Sequence, residues 1–221
     1  MARGDLFLIT APSGAGKNSL MEALVDLLGD DGRLAFVVSH TTRPPRATER
    51  HGVDYHFVAD AEFERMVAGE RFLEWAHVYD HRYGTAADEV LPRLERGIDV
   101  VHDLDVQGAE RLRARMPEAH SIFVLPPSFG ELRRRLDLRG AEEPGARARR
   151  LALSLSEIER YEEFDYVIVN RDLRPAAEAL AAIIVEKRHR RARMREVAEA
   201  IAGDFRAALG DAAGTGRGRT E

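Results

Sequence analysis

The sequence contains no cysteine, which excludes disulfide scaffolds, thiol nucleophiles and cysteine zinc sites. It also has no apolar run near the roughly 18 residues that a membrane-spanning helix needs. Met1-Ala2-Arg3-Gly4-Asp5 passes straight into a strand-like stretch, without the apolar segment and cleavage site of a secretory signal, so a cytoplasmic protein is expected. Basic charge is short: 33 cationic residues face 38 acidic ones, for a net charge of -5, which does not describe a dedicated nucleic-acid binder. Lysine is the scarcest cation. Only Lys17 and Lys187 occur, every other cation being arginine, so Lys17 departs from the chain's own habit. What remains is globular in composition, with 44% hydrophobic and 32% charged residues, and 221 residues suit one domain or one domain carrying an inserted lobe.

Apolar runs separated by helix-period segments predict an α/β fold, a parallel sheet with crossover helices. Asp5 to Thr10 reads as the first buried strand, and Leu20, Leu24, Leu27 and Leu28 share one face of the helix after it. Further strands are expected at Leu34 to Ser39, Asp99 to Leu104, Ser121 to Leu125 and Tyr166 to Val169. Between Arg43 and about Pro92 the pattern changes to short segments rich in Arg, Tyr, Phe, Glu and His, the signature of an inserted lobe. One long helical pattern runs from about Glu178 to Leu209. It carries the basic run Lys187-Arg188-His189-Arg190-Arg191-Ala192-Arg193, expected to be a solvated helix face. From Gly210 onward the composition predicts a frayed, disordered tail.

The first chemical signal is Ala11-Pro12-Ser13-Gly14-Ala15-Gly16-Lys17-Asn18-Ser19, between the first strand and the first helix. Glycines let several backbone N–H groups point into one concavity, the helix N-terminus adds positive partial charge, and the lysine reaches the outer phosphates. The segment predicts a phosphate cradle. It breaks the strict P-loop pattern twice, with Ala11 at the first glycine and Asn18 at the hydroxyl position. A hydroxyl there normally ligates magnesium, so Asn18, with an amide oxygen in its place, is expected to weaken metal binding.

The second signal is Ser39-His40-Thr41-Thr42-Arg43-Pro44-Pro45-Arg46-Ala47-Thr48-Glu49, followed by Asp54-Tyr55-His56-Phe57. Prolines stiffen a loop that presents two guanidinium forks, which match phosphate oxygens bidentately and suit a second, smaller anion. A third signal runs from Glu131 to Gly140 and on through Arg147 to Leu151. Arg135 and Arg139, four apart, share a helix face, and Gly140 to Gly145 reads as a mobile flap. His40, His51, His56, His77, His81 and His102 form no metal-ligand spacing and are expected at the polar surface.

With Phe72-Leu73-Glu74-Trp75, Tyr83-Gly84-Thr85, Asp103-Leu104-Asp105-Val106-Gln107-Gly108, Leu125-Pro126-Pro127-Ser128 and Val167-Ile168-Val169-Asn170 in this order, the chain resembles the guanylate kinases over roughly residues 5 to 190. The resemblance implies a P-loop kinase core over 1–42 and 93–209, a GMP-binding lobe over 43–92, a lid at about 137–150, and transfer of the terminal phosphoryl of ATP to GMP with magnesium. It implies that residues Ala11 to Ser19 and Asn170 bind ATP. Lys17, Arg43, Arg135, Arg139 and Arg150 would supply catalytic charge. Ser39, Arg43, Arg46, Glu49, Tyr55 and Tyr83 would form the GMP-phosphate side, and Glu74, Thr85 and Asp103 would read the guanine. Asn18 and Asp105 would face the magnesium, mostly through phosphates and water. Guanine's N1–H and exocyclic amine are donors that one carboxylate can accept together, a pair adenine lacks. Two other readings stand beside this one: a catalytically weak binding module of the same family, favoured by Asn18, and a related sugar-bisphosphate kinase.

Overall fold

The structure, a computed structural model, describes residues 2–29, 32–78, 80–138 and 144–215, with side chains for all of these except 138, 144–150 and 210–215. Two sheets organise it. The larger has five parallel strands, β1 (Leu6–Thr10), β2 (Leu34–Phe36), β7 (Asp99–Leu104), β8 (His120–Leu125) and β9 (Tyr166–Val169), in the order β2-β7-β1-β8-β9. A strand covered on both faces must be apolar on both, and β1 is fully buried along its length. Phe7 and Ile9 pack against Leu20 and Leu24 of α1 (Lys17–Leu28) and Leu180 and Ile184 of α7 (Leu173–Arg188). On the other face Leu6 and Leu8 meet Val90 and Leu94 of α3 (Ala87–Glu95) and Leu112 of α4 (Val106–Arg115). Five parallel strands agree with the sequence expectation, although β2 ends at Phe36 and Leu27 is turned out of the core, 42% exposed.

The smaller sheet has the order β4-β3-β6-β5, from β3 (His40–Thr41), β4 (His56–Phe57), β5 (Phe72–Val78) and β6 (His81–Ala86). It begins at His40, three residues before the lobe boundary expected from composition. Its own core is Phe63 and Met66 of α2 (Asp60–Ala68) against Phe72 and Ala86. Gly84 is required where it stands: a Cβ there would lie 2.8 Å from the Phe72 ring and 3.1 Å from Trp75 Cβ. The remaining helices are α5 (Phe129–Leu138), α6 (Pro144–Ile158) and α8 (Arg191–Thr215). No helix among the described residues is long and apolar enough to cross a membrane.

The C-terminal region corrects two expectations. The single helix from about Glu178 is two, α7 and α8, separated at His189 and Arg190, and α8 continues to Thr215, past the start of the expected tail. The basic run is only partly a solvated face: His189 to Ala192 are exposed. Lys187 and Arg188 are buried, and Arg188 Nε lies 2.6 Å from Oδ2 of the fully buried Asp99. Arg193 also pairs with Asp99 and with Asp5, and the Asp5 backbone N–H donates to Asp99 Oδ1 at 2.9 Å. A buried carboxylate is tolerable only when so compensated, and removing one partner of such a pair costs about 3–5 kcal/mol. This network ties the start of α8 to the amino ends of β1 and β7, two interior strands of the main sheet.

Candidate active site

The cradle forms because β1 ends in a loop that only glycine can follow. Gly14 and Gly16 have φ of 89° and 90°, and a Cβ on Gly16 would stand 2.6 Å from Asn170 Nδ2. Asn170 and Arg135 then hold the loop from outside. Asn170 Nδ2 donates to the Ala15 carbonyl at 2.8 Å, Arg135 donates to the same carbonyl at 3.1 Å and to the Asn170 carbonyl at 3.0 Å. Glu131 fixes that guanidinium at 2.7 Å, and Arg134 and then Arg135 hold its carboxyl down to about 2. Both predicted residues thus brace the loop backbone. Arg139 lies outside the described residues, as does the side chain of Arg150.

Lys17, at the start of α1, extends to the carboxyl end of β7, with Nζ 3.2 Å from Asp103 Oδ2 and 3.4 Å from the Leu104 carbonyl. Burial works most strongly to raise Asp103, but the Lys17 ammonium, His102 and hydrogen bonding together outweigh it and keep the carboxyl below its usual range. Asp105 caps α4, accepting from the Gly108 N–H at 2.6 Å. Asn18 and Ser19 are exposed on the first turn of α1. No group of three or more His, Cys, Asp or Glu among the described residues is arranged to hold a metal.

Across a cleft of about 270 Å³ from Lys17 stand Ser39, Tyr55, Glu74 and Tyr83, with Asp103 and Asp105 on its floor. Glu74 projects from β5 into this cleft with its side chain 6% exposed. It accepts from the Thr85 hydroxyl at 2.7 Å. Burial pushes the Glu74 carboxyl up; Thr85 and the Arg111 guanidinium act against it without cancelling the shift. At the far end Arg43 donates to Glu49 at 2.8 Å and lies over the rings of Tyr55 and Phe57, 5.5 and 5.6 Å from their centroids. Glu49 also accepts from the Arg46 backbone N–H at 2.7 Å, while the Arg46 side chain is 77% exposed. Glu49 therefore acts here as internal counter-ion to the arginine loop. Tyr55 and Tyr83 meet edge to face, 5.9 Å apart. Of the predicted residues, Lys17, Ser39, Tyr55, Glu74, Tyr83, Asp103 and Asp105 line one cleft; Arg43 and Thr85 touch its lining, Arg46, Asn18 and Ser19 are exposed, and Arg135 and Asn170 hold the loop from outside.

A glycine loop ending in Lys17 thus opens beside a cleft that holds a buried carboxylate. The family model for guanylate kinase matches residues 3–187, most of the chain. The chain belongs to the guanylate kinase family. A guanylate kinase of Nitrosococcus oceani is 46% identical over 202 residues, covering 91% of this chain and 98% of that protein. One from Alkalilimnicola ehrlichii is 48% identical over 187 residues, covering 85% and 91%. Among solved structures, the guanylate kinase of Anaplasma phagocytophilum superposes with a TM-score of 0.69 at 31% identity, over 90% of this chain and 95% of that one. The fold is accordingly that of a P-loop kinase.

Three residues that act on the side chains just described were not singled out from sequence. Arg111, on α4, lines the cleft with Nε 3.5 Å from Glu74 Oε2. It looks in the sequence like any other arginine of an amphipathic helix. Glu157, near the end of α6, is pushed up by burial and by Asp105, with Lys17 and the Ser13 backbone acting the other way. Nothing in the sequence separates it from Glu159, Glu162 and Glu163. His102 is the third: it is 1% exposed, not at the polar surface, and its Nε2 lies 2.7 Å from Thr85 Oγ1.

Proposed function

We propose that ATP lies with its phosphates in the Ala11–Ser19 cradle and GMP lies across the cleft, so that the two meet end to end beside Lys17. The observation that carries this reading is the single cleft with Lys17 on one wall and Glu74, Tyr55 and Tyr83 on the other. The reaction is ATP:GMP phosphotransfer: the terminal phosphoryl of ATP passes to GMP, leaving ADP and GDP. Charge spreads over the equatorial oxygens of the transferred group, so alignment and fixed positive charge do most of the catalytic work.

In this reading GMP phosphate displaces Glu49 from Arg43 and draws in Arg46, with Ser39 and the two phenols completing its shell. Glu74 receives the guanine N1–H and amine, with Thr85 and Asp103 flanking them. Lys17 leaves Asp103 for the ATP phosphates, while Arg135 and Asn170 keep the backbone amides aimed at them. Arg139 and Arg150 are proposed to add charge from the lid, which closes with the GMP lobe over residues 43–92 to exclude water.

Magnesium fits the donor set as a phosphate-held ion that keeps most of its waters, since Asn18 and Asp105 offer hard oxygens without forming a cage. Bound there, it would neutralise charge on the phosphates. With ATP and GMP as substrates, the setting assigned to the enzyme is the cytoplasm. A magnesium titration of GDP formation tests the reading. The native chain should need magnesium absolutely, and Asn18→Ser should reach half-maximal rate at a magnesium concentration lower by about tenfold, the low end of what supporting groups contribute to metal affinity. An unchanged titration in Asn18→Ser would remove Asn18 from the metal site, and full activity in excess EDTA would remove the metal.

A further inference from the structure

His102 is the last of a four-residue buried run on β7, after the compensated Asp99, Val100 and Val101. A polar ring at a fully buried strand position costs free energy unless it is paired. Its partner is Thr85 Oγ1, itself fully buried, at 2.7 Å from Nε2, while Nδ1 has no hydrogen-bond partner among the described residues. Thr85 Oγ1 is also 2.7 Å from Glu74 Oε1.

A hydroxyl has one proton to give. If it donates to the Glu74 carboxylate, it can only accept from the histidine, so the ring carries its hydrogen on Nε2 and the unpartnered Nδ1 is a bare acceptor. Burial holds the ring neutral, with its pKa lowered to about 4. Were the ring reversed in tautomer, it would bury an unpaired N–H and take the threonine proton away from Glu74. The chain His102–Thr85–Glu74 is therefore directional and ends on the carboxylate.

We propose that His102 is a positioning residue for base recognition: donating from Nε2 to Thr85, it commits the threonine proton to Glu74 and holds that carboxylate ionised and oriented toward the purine. This rests on the assignment of Glu74 as the base reader. The role requires no contact between His102 and either nucleotide, and it requires nothing of the phosphates.

Steady-state kinetics with GMP and IMP at saturating ATP test it, because IMP keeps N1–H and lacks the amine. In His102→Leu, which retains bulk and loses the donor, KM for GMP should rise about tenfold and the GMP:IMP ratio of kcat/KM should fall about tenfold, the scale of one hydrogen bond to a charged group. The rate at saturating GMP and the KM for ATP should stay within about twofold. His102→Gln, whose amide N–H reaches the Nε2 position, should restore both GMP values to within about threefold. Thr85→Val should give a similar loss, and adding His102→Leu to it should cost nothing more. Should the leucine variant not fold, His102→Met is read the same way.

An unchanged GMP:IMP ratio in the apolar variants overturns the proposal. So does a loss that touches GMP, IMP and ATP alike and that glutamine does not rescue, which marks a structural role. Glu74→Gln separates the two levels: if it leaves the ratio intact the base reader itself is wrong, and if it collapses the ratio while His102→Leu does not, only the inference fails.

Discussion

Glu74→Ala is expected to lower kcat/KM for GMP by about 10³-fold and to abolish the preference for GMP over AMP. The reason lies in what the pocket would otherwise leave unpaired. Glu74 is 6% exposed, so its carboxylate is desolvated before any base arrives. A base that brings two donors repays that cost. Adenine, with an acceptor at N1 and no amine at C2, cannot present that donor pair and leaves the charge poorly paired; sites built this way discriminate by about 10⁴–10⁵. Arg111, at 3.5 Å, compensates the charge only in part, and burial still leaves the carboxyl above its ordinary range. Removing the carboxylate removes affinity and selectivity together. Kinetics with GMP and AMP in the same variant check this; lost affinity with intact discrimination against AMP would place base reading elsewhere.

Lys17→Met should lower kcat by about 10³-fold and leave GMP affinity within a few-fold of native. Preorganised charge on the transferring phosphoryl is worth roughly 10²–10³ per group removed. Lys17 is one of two lysines in the chain, and its Nζ waits against Asp103 and the Leu104 carbonyl at the end of β7. From there it reaches the cradle without rebuilding any backbone. Single-turnover rates, with GMP binding measured separately by calorimetry, distinguish the outcomes. A loss below tenfold would mean that the arginines around the cleft carry the charge without it.

The central sheet was legible in the sequence because its strands carry short apolar runs: β1 is apolar and buried nearly throughout, β7 holds Val100-Val101, β8 holds Ile122 to Leu125, and the edge strand β9 is Tyr166 to Val169. The cradle was legible because positive-φ glycines and a lone lysine leave a local signature. The lobe was visible as a change of composition, but β3 and β4, two residues each, were not, since β3 exists through its pairing with β6 and β4 through its pairing with β3. The basic run deceived for a related reason. Arg188 finds Asp99 across 89 residues of sequence, and no local pattern announces that a charged run will be neutralised from so far away. His102, Arg111 and Glu157 escaped notice because each acts through a partner on another element. The resemblance to guanylate kinases supplied roles for Glu74, Thr85 and Asp103; it did not supply what stands behind them.

The placement of GMP is the central claim, and a crystal structure of the native chain with GMP tests it most directly. The expected density has the guanine amine and N1 within hydrogen-bond distance of the Glu74 carboxylate. The phosphate should sit among Arg43, Arg46, Tyr55 and Tyr83, with Glu49 released from Arg43. Density for the nucleotide away from Glu74, or a phosphate lodged clear of the two arginines, would contradict the account.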